Sequence, residues 1–170
     1  MNRRKNIYIY VGVIITILLS SFFHFTYDFL GRPAFLAGFF PISESIWEHM
    51  KLPFYSILLV NLIPWCEFVK KLTVKERLIL AAFQSEVSML NIFGGYYGLK
   101  GGFGREGLWI DLGLLVIGIW ISLVASAYIT DDSCHFPNCV KWYLLGKQAL
   151  TFVLFWIFSF AAPNYPFFQG

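Results

Sequence analysis

Charged residues are scarce in this chain: Asp, Glu, Lys and Arg make up 14% of its 170 residues, where an ordinary soluble domain carries about 25%. Cysteine is rare too, and the count of three is odd, so no disulfide framework is implied. No internal repeat or low-complexity segment interrupts the sequence, which reads as a single transmembrane domain over residues 1–170. The first apolar run lacks a small-x-small cleavage site and ends in polar and aromatic residues, so it reads as a span rather than a signal peptide. The net charge of +3 is modest. It falls mostly in two short basic clusters, which speak of topology and not of a nucleic-acid partner.

Apolar and aromatic residues are what the chain does have, at 58% and 20% of the sequence. A chain this short cannot hide so much apolar surface in a water-soluble core, because small domains leave a large share of their surface exposed. Lipid removes the difficulty. The 19 Phe, 9 Tyr and 6 Trp agree, since Tyr and Trp favour the membrane interface. A span needs about 20 predominantly apolar residues. Five stretches qualify, approximately 6–30, 52–69, 78–99, 108–129 and 142–162. The expected fold is all-α, an integral membrane bundle of five transmembrane helices. A short interfacial helix, Ile42 to Met50, lies between the first two, with Ser43 as N-cap and Pro53 marking its end. Pro64 is expected to kink the second span. The basic residues of the head (Arg3, Arg4, Lys5) and of the loop after span two (Lys70, Lys71, Lys75, Arg77) place the amino terminus in the cytoplasm and the carboxyl terminus outside.

Ionisable residues concentrate near the outer end of span one and just after it: His24, Tyr27 and Asp28, then Glu44, Ser45, Glu48, His49 and Lys51. Charges at membrane depth are unfavourable by roughly 2.5–3.5 kcal/mol each at a helix centre, so they persist where they pair, face the bundle or line a wet cavity. His24 with Asp28, and Glu44 with Glu48, sit four apart, which puts each pair on one face of a helix. Trp47, Ile42 and Ile46 would form the opposite, lipid-facing side. His24, Asp28, Glu44 and His49 are the candidate ligands of a divalent metal, since imidazole and carboxylate suit Zn, Fe or Mn. Without a metal, His49 with Glu48 or Glu44 could act as general base and orienter. The spacing matches no sharp motif such as H-E-x-x-H. The plainer alternative is a solvated amphipathic edge, with Asp28 ending the span and Lys51 snorkelling or anchoring on headgroups.

Three further sets stand out. Glu86 in span three, with Gln84, Ser88 and Asn91 nearby, reads as a proton or cation relay or as interhelical hydrogen bonding. Asp111 opens span four and either faces His49 across the bundle or favours the helix N-terminus. Lys147 and Gln148 read as snorkelling. Cys134, His135 and Cys139 (CHFPNC) fit structural zinc spacings poorly and read as a polar turn.

HFTYDFLG, PISESIWEHMKLPFY, FGGYYG with LWIDL, and a terminal APNYPFF occur here in that order. Together they resemble a family of small bacterial and archaeal multi-pass membrane proteins known only as a domain of unknown function. Ser43 stands where that pattern has Asn. The resemblance implies a shared five-span fold. It marks His24, Asp28, Glu44, Glu48, His49, Lys51 and Asp111 as characteristic polar positions, and it carries no reaction with it. The function expected is a polar site at the outer face, with a divalent metal as one reading of it, acting on a membrane lipid or other apolar substrate by hydrolysis or group transfer. The alternatives are an ion, proton or small-molecule transport component, which would call for a homo-oligomer, or an accessory subunit of a membrane complex.

Overall fold

All seven prolines fall outside the four longest helices: six stand in turns, breaks or short 3-10 segments, and Pro53 stands in the first turn of a shorter helix. The computed structural model describes residues 3–104, 107–130 and 136–168, and over these the chain is all-helical. In order, the helices are α1 (Arg3–Phe29), α2 (Ile46–His49), α3 (Lys51–Leu62), α4 (Glu67–Lys70), α5 (Val74–Phe103), α6 (Leu108–Ile129) and α7 (Asn138–Phe160). Helices α1, α5, α6 and α7 are each long and apolar enough to cross a membrane.

The stretch expected as span two divides at Pro64. Helix α3 ends at Leu62, and Ile63 is extended (φ −82°, ψ 124°), as a residue before proline prefers. At 12 residues, α3 reaches only about 18 Å at 1.5 Å per residue. The missing proline N–H leaves the Val60 carbonyl without its helical donor, and Trp65 Nε1 supplies one at 3.0 Å. Arg77 Nη1 donates to the Leu62 carbonyl at 3.3 Å. A kink becomes a full break because side chains take over the freed carbonyls.

Cross-contacts set the helix directions. Ser20 meets Ser56 and Tyr8 meets Asn61, so α3 runs antiparallel to α1. Gln84 meets Ser126, and a Cβ on Gly118 would touch Ser88, so α6 runs antiparallel to α5. Lys75 lies over the Trp142 ring and Glu86 pairs with Lys147, so α7 runs parallel to α5. The carboxyl ends of α1, α5 and α7 thus gather with the amino ends of α3 and α6. Helix α7 is the least buried of the four long helices.

Between α1, α3 and α5 lies a closed circuit of side chains. Tyr8 Oη donates to Asn61 Oδ1 at 3.2 Å, Asn61 Nδ2 to Gln84 Oε1 at 2.7 Å, and Gln84 Nε2 back to Tyr8 Oη. Gln84 Nε2 also reaches Ser126 Oγ on α6. All four residues are buried, and each polar group there has a partner, as a dry interior requires.

The 31–45 segment is pinned onto α3 and α7. Tyr55 Oη donates to the Gly38 carbonyl at 2.7 Å, and a Cβ on Gly38 would sit 2.4 Å from the Trp156 ring. A Gly38→Ala variant is therefore expected to lose about 1–3 kcal/mol by overpacking, seen as a lower thermal midpoint in detergent. An unchanged midpoint would show that the ring can move aside.

Candidate functional site

Local geometry separates the two glutamates that spacing had put on one face. The helix after Pro41 is capped by Ser45, not Ser43: Ser45 Oγ accepts from the Glu48 amide at 3.3 Å. The α2 helix covers only Ile46–His49, so Glu44 precedes it and swings outward while Glu48 turns in. Pro53 does not end this helix either. It sits in the first turn of α3, where a missing N–H is tolerated, and the chain pauses only at Met50.

Glu44 lies between two imidazoles. His49 Nε2 is 3.3 Å from Glu44 Oε2, and His24 Nε2 is 3.9 Å from Glu44 Oε1. The two rings stand 5.4 Å apart between centroids, and the candidate ligand atoms of the three residues lie within 4.8 Å of one another. A tetrahedral centre with bonds of about 2.0–2.1 Å needs donor atoms about 3.3–3.5 Å apart. The His49–Glu44 separation already meets that, and the exposed Glu44 can rotate to close the rest. His49 Nδ1 is 2.9 Å from the Ser45 carbonyl. With the proton on Nδ1, that bond leaves the Nε2 lone pair facing Glu44, the arrangement typical of a metal-ligating histidine. The Nδ1 of His24 is buried without a hydrogen-bond partner among the described residues.

The three residues occupy one wall of a cavity of about 820 Å³. Tyr96 and Lys100 of α5 and Asp111 of α6 line it as well, and Ser20, Leu52, Ile92 and Leu115 extend it towards the bundle centre. Asp111 therefore lines the same cavity as His49, and it also stands in the first turn of α6. Ile92, Tyr96 and Lys100 follow at steps of four, one face of α5, and Lys100 Nζ donates to Tyr96 Oη at 3.3 Å. That face was the signal for the opposite wall, and the sequence reading passed over Lys100 and the Ser45 carbonyl.

The remaining predicted residues lie elsewhere. Asp28 shares the His24 face of α1 but does not line the cavity; it pairs with Arg32 at 2.6 Å, both exposed, and this contact holds the guanidinium above its usual range. An Asp28→Asn variant is expected to change neither metal content nor thermal midpoint, because exposed pairs contribute little; a loss of metal would return Asp28 to the site. Glu48 and Lys51 form a buried pair at 2.6 Å. Lys51 is fully buried, so it is not a headgroup anchor; its ammonium also donates to the Ala37 carbonyl at 2.7 Å and to Ser159 Oγ at 2.6 Å. Glu48 accepts further from the Ile42 amide at 2.8 Å. Burial pushes its carboxyl up from the ordinary range, and the Lys51 ammonium pulls the other way. Trp47 does not face lipid: Phe155, Phe158, Phe167 and Phe168 surround it at 4.9–5.6 Å.

Glu86 forms an interhelical ion pair with Lys147, which therefore does more than snorkel. Asn91 donates to the Val87 carbonyl of its own helix at 3.2 Å. Neither Glu86 nor Asn91 lines the 820 Å³ cavity. Gln148 Nε2 is buried without a partner among the described residues. Cys134 and His135 lie outside the described residues, and Cys139 is exposed at the start of α7.

A family model described as a family of unknown function (DUF6512) matches residues 1–170. No curated protein and no solved structure matches the chain.

Proposed function

The chain belongs to this family of unknown function, and on that footing we propose that it is a multi-pass membrane protein whose His24, Glu44 and His49 bind a divalent metal and act on a lipid or other apolar substrate. The observation that carries this reading is the His–Glu–His geometry on a cavity wall, with His49 oriented by the Ser45 carbonyl. Three protein ligands of this type, with a position left open, are the pattern of catalytic zinc sites. A bound ion would act as a Lewis acid and lower the pKa of its water to about 7. The chain's own residues then hold and orient: Lys100 meets an anionic group, Tyr96 and Asp111 meet hydroxyls, and Leu52, Ile92 and Leu115 receive an apolar tail.

Five passes agree with this arrangement, because the 51–70 stretch runs beside α1 from the His24 end to the Arg4–Glu67 pair. The cationic groups near the other end are Arg3, Arg4, Lys5, Lys70, Lys71, Lys75, Arg77 and Lys141. By the positive-inside rule that end faces the cytoplasm and the metal cluster faces outward. Elemental analysis of the purified protein tests the site. Wild type is expected to hold about one transition-metal ion per chain, as one centre of this type would, and a His49→Ala, Glu44→Ala double variant none. No metal in a folded wild type after incubation with zinc, iron or manganese sinks the metal reading.

A further inference from the structure

A second cavity, of about 680 Å³, lies at the opposite end of the bundle, where the first turns of α1 meet the 63–66 break and α4. Arg3, Arg4 and Lys70 line it together with Glu67, three positive charges less one negative, a formal balance of +2. The Glu67 carboxylate is bound within the wall by Arg4 Nε at 2.8 Å. Trp65 forms the inner side, held by its bond to the Val60 carbonyl. Below the charges the lining turns apolar, at Ile7 and Val11. Arg3, Ile7, Val11, Ile14 and Leu18 follow one another at steps of four or three, a single face of α1. The four apolar members of that face are all exposed. A basic notch thus continues into an uncovered apolar strip running along the helix.

We infer that this groove is a binding site for one anionic phospholipid of the leaflet at that end. Its phosphate is held by Arg3 and Lys70, and its acyl chains lie along Ile7, Val11 and Ile14. The charge of the notch selects an anion, and basic groups at the cytoplasmic surface attract anionic lipid by about 1 kcal/mol each. The strip selects an amphiphile over a small ion, since a free phosphate would leave it uncovered. Trp65 stands at the junction, where a ring with a polar edge and an apolar body belongs. The site is independent of the metal cluster, which lies at the other end of the bundle.

The test reconstitutes the full chain in nanodiscs of phosphatidylglycerol and phosphatidylcholine, releases it into detergent, and counts retained lipid by native mass spectrometry. Wild type is expected to retain one phosphatidylglycerol and no phosphatidylcholine. An Arg3→Gln, Lys70→Gln variant is expected to hold it about thirtyfold more weakly, from two lost charges. The charge-conserving Arg3→Lys, Lys70→Arg variant should keep it. Both sites are exposed, so helicity by circular dichroism should match wild type in each. Equal retention by the Gln variant, equal retention of phosphatidylcholine, or displacement by inorganic phosphate would each overturn the inference.

Discussion

Replacing Lys51 by Met is expected to remove about 3–5 kcal/mol of stability, the usual consequence of leaving one member of a buried ion pair alone. A small domain has only about 5–15 kcal/mol in total, so the variant should unfold far more readily in a detergent titration. Lys51 is fully buried, and its ammonium binds the Glu48 carboxylate, the Ala37 carbonyl and Ser159 Oγ. Without it Glu48 keeps the Ile42 amide as a donor, too little for a carboxylate out of water. The 31–45 segment also loses the Lys51 bond to the Ala37 carbonyl, keeping only the one from Ser159 Oγ there, and Glu44 of the proposed metal site sits on that segment. A Glu48→Leu, Lys51→Met double variant is expected to regain most of the loss, because an apolar pair of similar volume has no charge left to satisfy. If the single variant changes stability by less than about 1 kcal/mol, the pair is reached by water and the burial argument fails.

The second large effect is on metal affinity. His24→Ala, Glu44→Ala and His49→Ala are each expected to weaken binding by more than the roughly 10–100-fold that loss of an outer partner produces, because each removes a ligand atom of the cluster. Titration with zinc in a competing chelator measures this directly. Lys100→Gln, on the same cavity but outside the cluster, should leave zinc affinity within about threefold, the ordinary context scatter of a remote charge. Should Lys100→Gln match the ligand variants, the effect would be one of cavity electrostatics and not of coordination.

Hydropathy made four of the helices legible, because α1, α5, α6 and α7 are long apolar runs without interior proline. The break at Pro64 was legible only as a bend. Its completion depends on Trp65 and Arg77 reaching freed carbonyls, and no local pattern announces that. The separation of Glu44 from Glu48 was written in the sequence: Ser45 with Glu48 three residues on is the spacing of a capping box, and it sets the helix start after Glu44. The burial of Lys51 was not legible, since Ser159, which shares its ammonium, lies 108 residues further along. His24, Glu44 and His49 were named, with Asp28, as candidate ligands, but the Ser45 carbonyl that His49 Nδ1 approaches is positioned only by the fold.

The Tyr8–Asn61–Gln84 circuit also constrains how the protein is made. The three side chains emerge from the ribosome 53 and then 23 residues apart, and no two of them close the ring. Asn61 rides on the short α3, the segment least able to stay in lipid alone. It becomes fully satisfied only when Gln84 arrives on α5. The ring therefore closes only once α5 is in place, and α1, α3 and α5 settle together as one cooperative unit.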